Sequence, residues 1–275
     1  MIHCYVDESI HDSCGFVATA FVFAGEDFER TVEKVLRDAG LSPPEEFKSS
    51  ARMDSNSIMQ LARSGLLSLA GSKAKIAVFF GTFNRATLGK HTLQALQSVV
   101  VRNGINPAKL SVYCDEEIFP SEKEALRLHS LFDFLSGCRI YPRENSRNRL
   151  GIQVADAVPH SFGQILKEEL TGKQKLVDIG RPETGYEEGT MAPLGWELLM
   201  TLRYGLMTRP MVQGGKPYDP GMDPVVLDPD NDDPAVYGQH PVLVGWGVQT
   251  APEAEDSLRQ GVERAFGRIW LGCIH

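Results

Sequence analysis

Two places in the sequence set adjacent carboxylates directly behind a short apolar run. Asp7 and Glu8 follow residues 2–6, and Asp115 and Glu116 follow residues 110–114. Both runs are rich in β-branched and aromatic residues, as strands are, so each acidic pair is delivered to the end of a rigid element. Carboxylates gathered by neighbouring strand ends repel one another unless a cation lies between them. An all-oxygen donor set points to Mg2+ or Mn2+.

A third acid, Asp156, has Gln153 one helical turn before it and His160 one turn after it on the same face. Just upstream, Arg139, Arg143, Arg147 and Arg149 stand against Glu144, a local positive excess in an acidic chain. Guanidinium groups there suit phosphates, leaving the metal site to handle the reacting bond. Taken singly, each feature has a plainer reading. Asp7 can open a turn, Asp115 and Glu116 can favour a following helix N-terminus, and Asp156 can cap a helix with Pro159 in its first turn. The arginines can line a solvated loop.

The elements that must position these residues follow from periodicity. Residues 2–6 and 15–23 read as a hairpin around a polar turn at Asp12 and Ser13. Phe28, Val32, Val35, Leu36 and Ala39 predict a helix ended by Gly40, and Ile58, Leu61, Ala62, Leu66 and Leu69 predict another that stops before Gly71. A strand over 75–82, a helix around Leu93, Leu96 and Val100, and a strand over 110–114 come next. Ser121 and Glu124 form a capping box for a helix with Ala125, Leu128, Leu131, Phe132 and Leu135 inward. A strand at 139–141 and a helix over 151–170 complete an alternating pattern, which implies an α/β fold with a mixed sheet covered by helices.

Beyond Thr171 the pattern changes. A helix over 194–206, a Pro/Asp-rich loop over 210–234, a strand over 242–248 and a closing helix are predicted. Thr250 and Glu253 read as the closing helix's capping box, with Leu258, Val262, Phe266 and Ile269 as its apolar face. Asp228, Asp230 and Asp232 lack the glycine and closing glutamate of a calcium loop and read as solvated.

With 275 residues, 42% hydrophobic and 23% charged, the chain has the composition of a globular protein able to bury a core without disulfides. No apolar run is long enough to span a bilayer, and five cysteines without a Cys-x-x-Cys pair read as reduced thiols, so a cytoplasmic protein is expected. A net charge of -8 excludes a basic surface that coats nucleic acid, but allows an enzyme with a basic rim.

Tyr5-Val6-Asp7-Glu8-Ser9, Glu46-Phe47-Lys48, the run ending at Asp115-Glu116, and Gly151-Ile152-Gln153-Val154-Ala155-Asp156 together resemble the bacterial family called domain of unknown function 3800. The resemblance covers residues 1–170 and implies a ribonuclease-H-like domain; residues 171–275 lie outside it and are expected, from their own pattern, to form a C-terminal α/β extension packed on or beside that domain. It implies that Asp7, Asp115 and Asp156 bind metal, and that Glu46 and Lys48 are a further acidic and basic pair at the site. The sequence departs from the family's usual pattern at Ile10, where a glycine commonly follows Asp-Glu-Ser.

The function so implied is metal-dependent cleavage of DNA or RNA by water, with two ions about 3.5–4 Å apart clamping the attacking and leaving oxygens. Arg143, Arg147, Arg149 and Gln153 are the expected substrate contacts. The alternative is a non-catalytic binding or regulatory protein that acts through a protein partner, since this scaffold also hosts inactive domains.

Overall fold

In the computed structural model the described residues are 1–42, 45–51, 53, 55–180, 184–207, 212–213, 216–217, 242–245 and 247–267. Asp228, Asp230 and Asp232, with Trp246, Ile269, Trp270 and Cys273, lie outside them.

The amino-terminal hairpin joins β1 (Ile2–His11) to β2 (Phe16–Ala24), paired from His3 opposite Ala24 to His11 opposite Phe16. Gly15 closes the turn at φ 71°, in the left-handed region open to glycine. The strand predicted to stop at Val6 runs on to His11 because β2 pairs with it along its whole length. Asp7 and Glu8 are therefore inside β1 rather than behind it. The element that ends beside them is β4 (Leu110–Asp115), whose parallel pairing with β1 closes with Val6 opposite Cys114.

On the other side of the hairpin, β3 (Lys75–Thr82) runs antiparallel to β2, and β5 (Arg139–Glu144) runs parallel to β4. Two small ribbons follow, β6 (Leu176–Asp178) with β7 (Met191–Pro193), and β8 (Val212–Gln213) with β9 (Lys216–Pro217). β10 (Val242–Gly245) and β11 (Val248–Thr250) then rejoin the main sheet, with β11 parallel to β3. The seven strands stand in the order β10-β11-β3-β2-β1-β4-β5, so the C-terminal third extends the sheet built by the N-terminal part.

Helices cover both faces. On one lie α1 (Phe28–Asp38), α2 (Ser57–Lys73), α5 (Gly151–Thr171), α6 (Leu194–Leu202) and α7 (Asp256–Phe266); on the other lie α3 (Leu88–Arg102) and α4 (Glu122–His129). Alternation along β3 shows the division, since Phe80 stacks on Phe266 of α7 while its neighbour Phe79 meets His91 of α3. The fold is thus mixed α/β, with one buried apolar cluster that draws on every strand from β1 to β4 and on helices of both layers. None of the helices among the described residues is long and apolar enough to cross a membrane.

Several predicted boundaries move for local reasons. α2 does not stop before Gly71; a Cβ there would strike the Thr201 carbonyl, so this glycine seats α2 against α6. α6 itself ends at Leu202 and passes into a 3-10 turn, Arg203–Gly205. The Ser121 cap forms, its hydroxyl accepting from the Glu124 N–H at 3.1 Å, but α4 closes at His129 in bonds that tighten to a 3-10 pattern. His129 reaches over to the Leu135 carbonyl at 2.8 Å, and Leu131, predicted to face inward, is 62% exposed. Thr250 is the last residue of β11 rather than a helix cap, and the closing helix begins at Asp256 without a side-chain cap.

Candidate metal centre

Alternation along β1 turns Tyr5, Asp7, Ser9 and His11 toward α5. α5 lies close because Gly151 and Gly163 carry no side chain: a Cβ at Gly151 would enter the Tyr5 ring, and one at Gly163 the His11 ring. Asp156 is in the second turn of this helix, well past its N-cap at Leu150, and Pro159 is accommodated inside the helix. The capping role for Asp156 is thereby excluded.

Where β4 ends, one carboxylate oxygen from each of Asp7, Glu8 and Asp115 lies within 4.8 Å of the others. Asp7 and Asp115 are both buried, and the Glu8 side chain is only 4% exposed. Asp7 Oδ1 accepts from the Glu8 N–H at 2.7 Å, and Asp115 Oδ1 from the Glu117 N–H at 3.0 Å. Burial holds the Asp7 carboxyl well above the usual carboxylate range, reinforced by the charges of Asp115, Glu8 and Asp156. Burial and Asp115 push Glu8 up to about 7, against the pull of Arg85. Asp115 is also raised by burial, opposed by its bond from Glu117 and by Lys48. Glu8 Oε2 is buried without a hydrogen-bond partner among the described residues.

This arrangement tests how well the residues fit a divalent cation. The donors are all hard oxygens, they converge, their joint charge is unfavourable without a counter-ion, and one oxygen has lost water without gaining a donor. They fit Mg2+ or Mn2+.

The structure brings Asp7 and Asp115 together, as the sequence predicts, and adds Glu8 to them. Asp156 stands one step behind. Its Oδ2 accepts the Ser49 N–H at 2.8 Å and its Oδ1 accepts the Ser49 hydroxyl, while its charge acts on Asp7. Gln153 is fully buried: its Oε1 accepts from the Phe47 N–H at 2.8 Å and its Nε2 donates to the Ser146 carbonyl at 3.0 Å. Both ends of the amide are committed, so Gln153 clamps the segment bearing Glu46 and Lys48 to α5 instead of facing a substrate.

Along that segment Phe47 is buried, while Glu46 and Lys48 turn to the rim. Glu46 accepts from the Ser146 hydroxyl at 2.7 Å and pairs with Lys48 at 3.9 Å and Arg147 at 3.3 Å. It stays outside the three-carboxylate group. Arg143, at φ 60° in an irregularity where β5 slips against β4, donates to the Phe119 carbonyl at 2.7 Å and so braces the loop after Asp115. Arg149 lies 4.6 Å over the Tyr113 ring and pairs with Glu144 at 3.4 Å and Glu29 at 3.8 Å. Among the expected substrate contacts, the Arg147 side chain is 58% exposed and that of Arg149 37%.

Sequence reasoning missed Arg85, which bridges Glu8 and Glu117 at 3.5 Å each from the loop after β3. It also missed Ser49 and Ser146, whose partners are distant in sequence. A second, half-buried group lies further along β1. His11 accepts from or donates to the Ser9 hydroxyl at 3.2 Å, its ring is 6.2 Å from that of His160, and burial lowers His11 to about 4.

No protein-family model and no curated protein matches the chain.

Proposed function

We propose that this protein is a metal-dependent phosphodiesterase acting on nucleic acid. The observation that carries the reading is the convergence of Asp7, Glu8 and Asp115, three carboxylates brought within 4.8 Å at the end of β4 although burial and mutual repulsion penalise their charge. The N-terminal hairpin continued by parallel strands that alternate with helices supports the ribonuclease-H-like scaffold implied by the resemblance to the domain of unknown function 3800 family.

In this reading Asp7, Glu8 and Asp115 hold Mg2+ or Mn2+. A bound ion of this kind supplies a water of lowered pKa and neutralises charge at a leaving oxygen. Asp156, fixed by Ser49, adds negative charge behind Asp7 and keeps the Lys48 segment in place. Lys48 and Arg147, both substantially exposed at the rim, supply cations to a phosphate. Water is the nucleophile in this reading, since a bound divalent ion would lower its pKa beside the phosphate.

The test is a cleavage assay with single- and double-stranded DNA and RNA oligonucleotides, in Mn2+, in Mg2+ and in EDTA. Cleavage is expected only with metal, and to fall by about 100-fold or more in Asp7→Asn and Asp115→Asn variants whose circular dichroism is unchanged. Failure to cleave any of the substrates would overturn the catalytic reading and leave the non-catalytic alternative.

A further inference from the structure

Strand register sets a row of aromatic rings across the sheet beside the metal centre. Tyr5 of β1 is opposite Tyr113 of β4, and Tyr113 is opposite Tyr141 of β5. The rings are stacked, with centroids 5.5 Å apart between Tyr5 and Tyr113 and 4.8 Å apart between Tyr113 and Tyr141, the latter pair only 10° from parallel. Phe28 of α1 closes the inner end at 5.9 Å from Tyr5. The outer end is Tyr141, half-buried on the last strand of the sheet, with one ring face on Tyr113 and the other turned away from it.

A row of this kind inside a core needs no explanation beyond packing, but this one ends at an edge, and the edge is next to the carboxylates. Tyr113 precedes Asp115 by two residues on the same strand, and Tyr5 precedes Asp7 by two, so the rings and the Asp7 and Asp115 side chains share a face. Two residues along the strand and one strand across place Tyr141 about 8 Å from Asp115. That suits a group attached to a phosphate at the metal centre. Another β-strand is a poor occupant for this edge, because Pro142 follows Tyr141 directly and the register slips there, with Arg143 at φ 60°. The edge strand and the loop after it carry more cations than acids: Arg139 is exposed on β5, Arg147 is exposed in the following loop while pairing with Glu46, and the Arg149 guanidinium lies over Tyr113 while pairing with Glu144 and Glu29. An aromatic face ending a stack, within a cationic rim, has the chemistry that binds an unpaired base and its backbone.

We propose that Tyr141 is a stacking ledge for a nucleobase adjoining the phosphate at the metal centre, which makes single-stranded nucleic acid the substrate class. The inference rests on the phosphodiesterase reading and deepens it. A paired base is already stacked and cannot lay a free face on the ring, so duplex is disfavoured at this position.

The experiment titrates the full chain into a single-stranded DNA oligonucleotide carrying 2-aminopurine, whose fluorescence is quenched by stacking, and into the same sequence as duplex, in EDTA and again in calcium. Tyr141→Phe keeps the ring, and Tyr141→Leu keeps a bulky apolar side chain without one, so the two separate stacking from folding. Quenching of the single strand is expected with wild type and Tyr141→Phe, with Kd raised about tenfold and quenching lost in Tyr141→Leu. Equal binding and quenching by Tyr141→Leu would overturn the ledge while the phosphodiesterase reading stands. A wild-type chain that binds neither strand form in either buffer would overturn both.

Discussion

Replacing Glu8 with glutamine should stabilise the folded chain in a way that depends on pH. Burial and Asp115 push Glu8 from 4.5 up to about 7, a value that already includes the attraction of Arg85. Between those two values the folded chain keeps a proton that the unfolded chain has lost. Stability therefore falls as pH rises through that window, and the penalty is complete above it. At 1.36 kcal/mol per unit the gap amounts to about 3 kcal/mol. Glutamine resembles the protonated acid in shape and has no charge to desolvate. Urea unfolding followed by far-UV circular dichroism in EDTA should show Glu8→Gln more stable than wild type by about 2–3 kcal/mol at pH 8, and equal to it within about 0.5 kcal/mol at pH 4. His11, lowered to about 4, shifts absolute stability the opposite way, since a half-buried histidine held neutral costs stability as pH falls below its unfolded value. Both proteins share that effect, so their difference is the quantity to read. Equal differences at both pH values, or a variant less stable than wild type at pH 8, would refute the electrostatic reasoning.

Other substitutions test the frame that holds the site. Gln153→Leu keeps the volume but strands the Phe47 N–H and the Ser146 carbonyl in the interior, and should cost about 2–4 kcal/mol in urea unfolding. A cost under about 0.5 kcal/mol would mean that the clamp is not needed. Gly163→Ala drives a methyl into the His11 ring, which is held 4.7 Å from Phe16 and bonded to Ser9, and should cost about 1–3 kcal/mol and lower Tm. An unchanged Tm would show that α5 can ride higher on β1 than the close glycine contact implies.

What was legible in the sequence is whatever a local period fixes. The bounds of β3, the hairpin, the Ser121 cap and the long helix carrying Asp156 all follow from short-range pattern. The placing of Asp7 beside Asp115 was legible because two apolar runs are each followed by an acid, although β1 continues past Asp7 to His11. Properties that depend on register across strands were not. Nothing near Glu8 announces that β2 continues past the end of β4 and carries it into the group, and nothing near Arg85 marks the loop that meets it. The arginines read as a single positive cluster, yet Arg143 and Arg149 are committed to a carbonyl, to acids and to a ring that only tertiary structure brings near. Gln153 has the spacing of a site residue on the face of Asp156, and burial gives it a structural task instead. The closing helix shows the converse error: Thr250 and Glu253 satisfy a capping pattern, but pairing of Thr250 with Phe80 takes precedence.

The most direct test of the metal centre is calorimetric titration of Mn2+ into the wild-type chain and into an Asp7→Asn/Asp115→Asn double variant, with folding of both checked by circular dichroism. Saturable binding by the wild type that the folded variant loses is the expected result. Equal binding in both, or none in the wild type, would contradict the assignment of a cation to the three converging carboxylates.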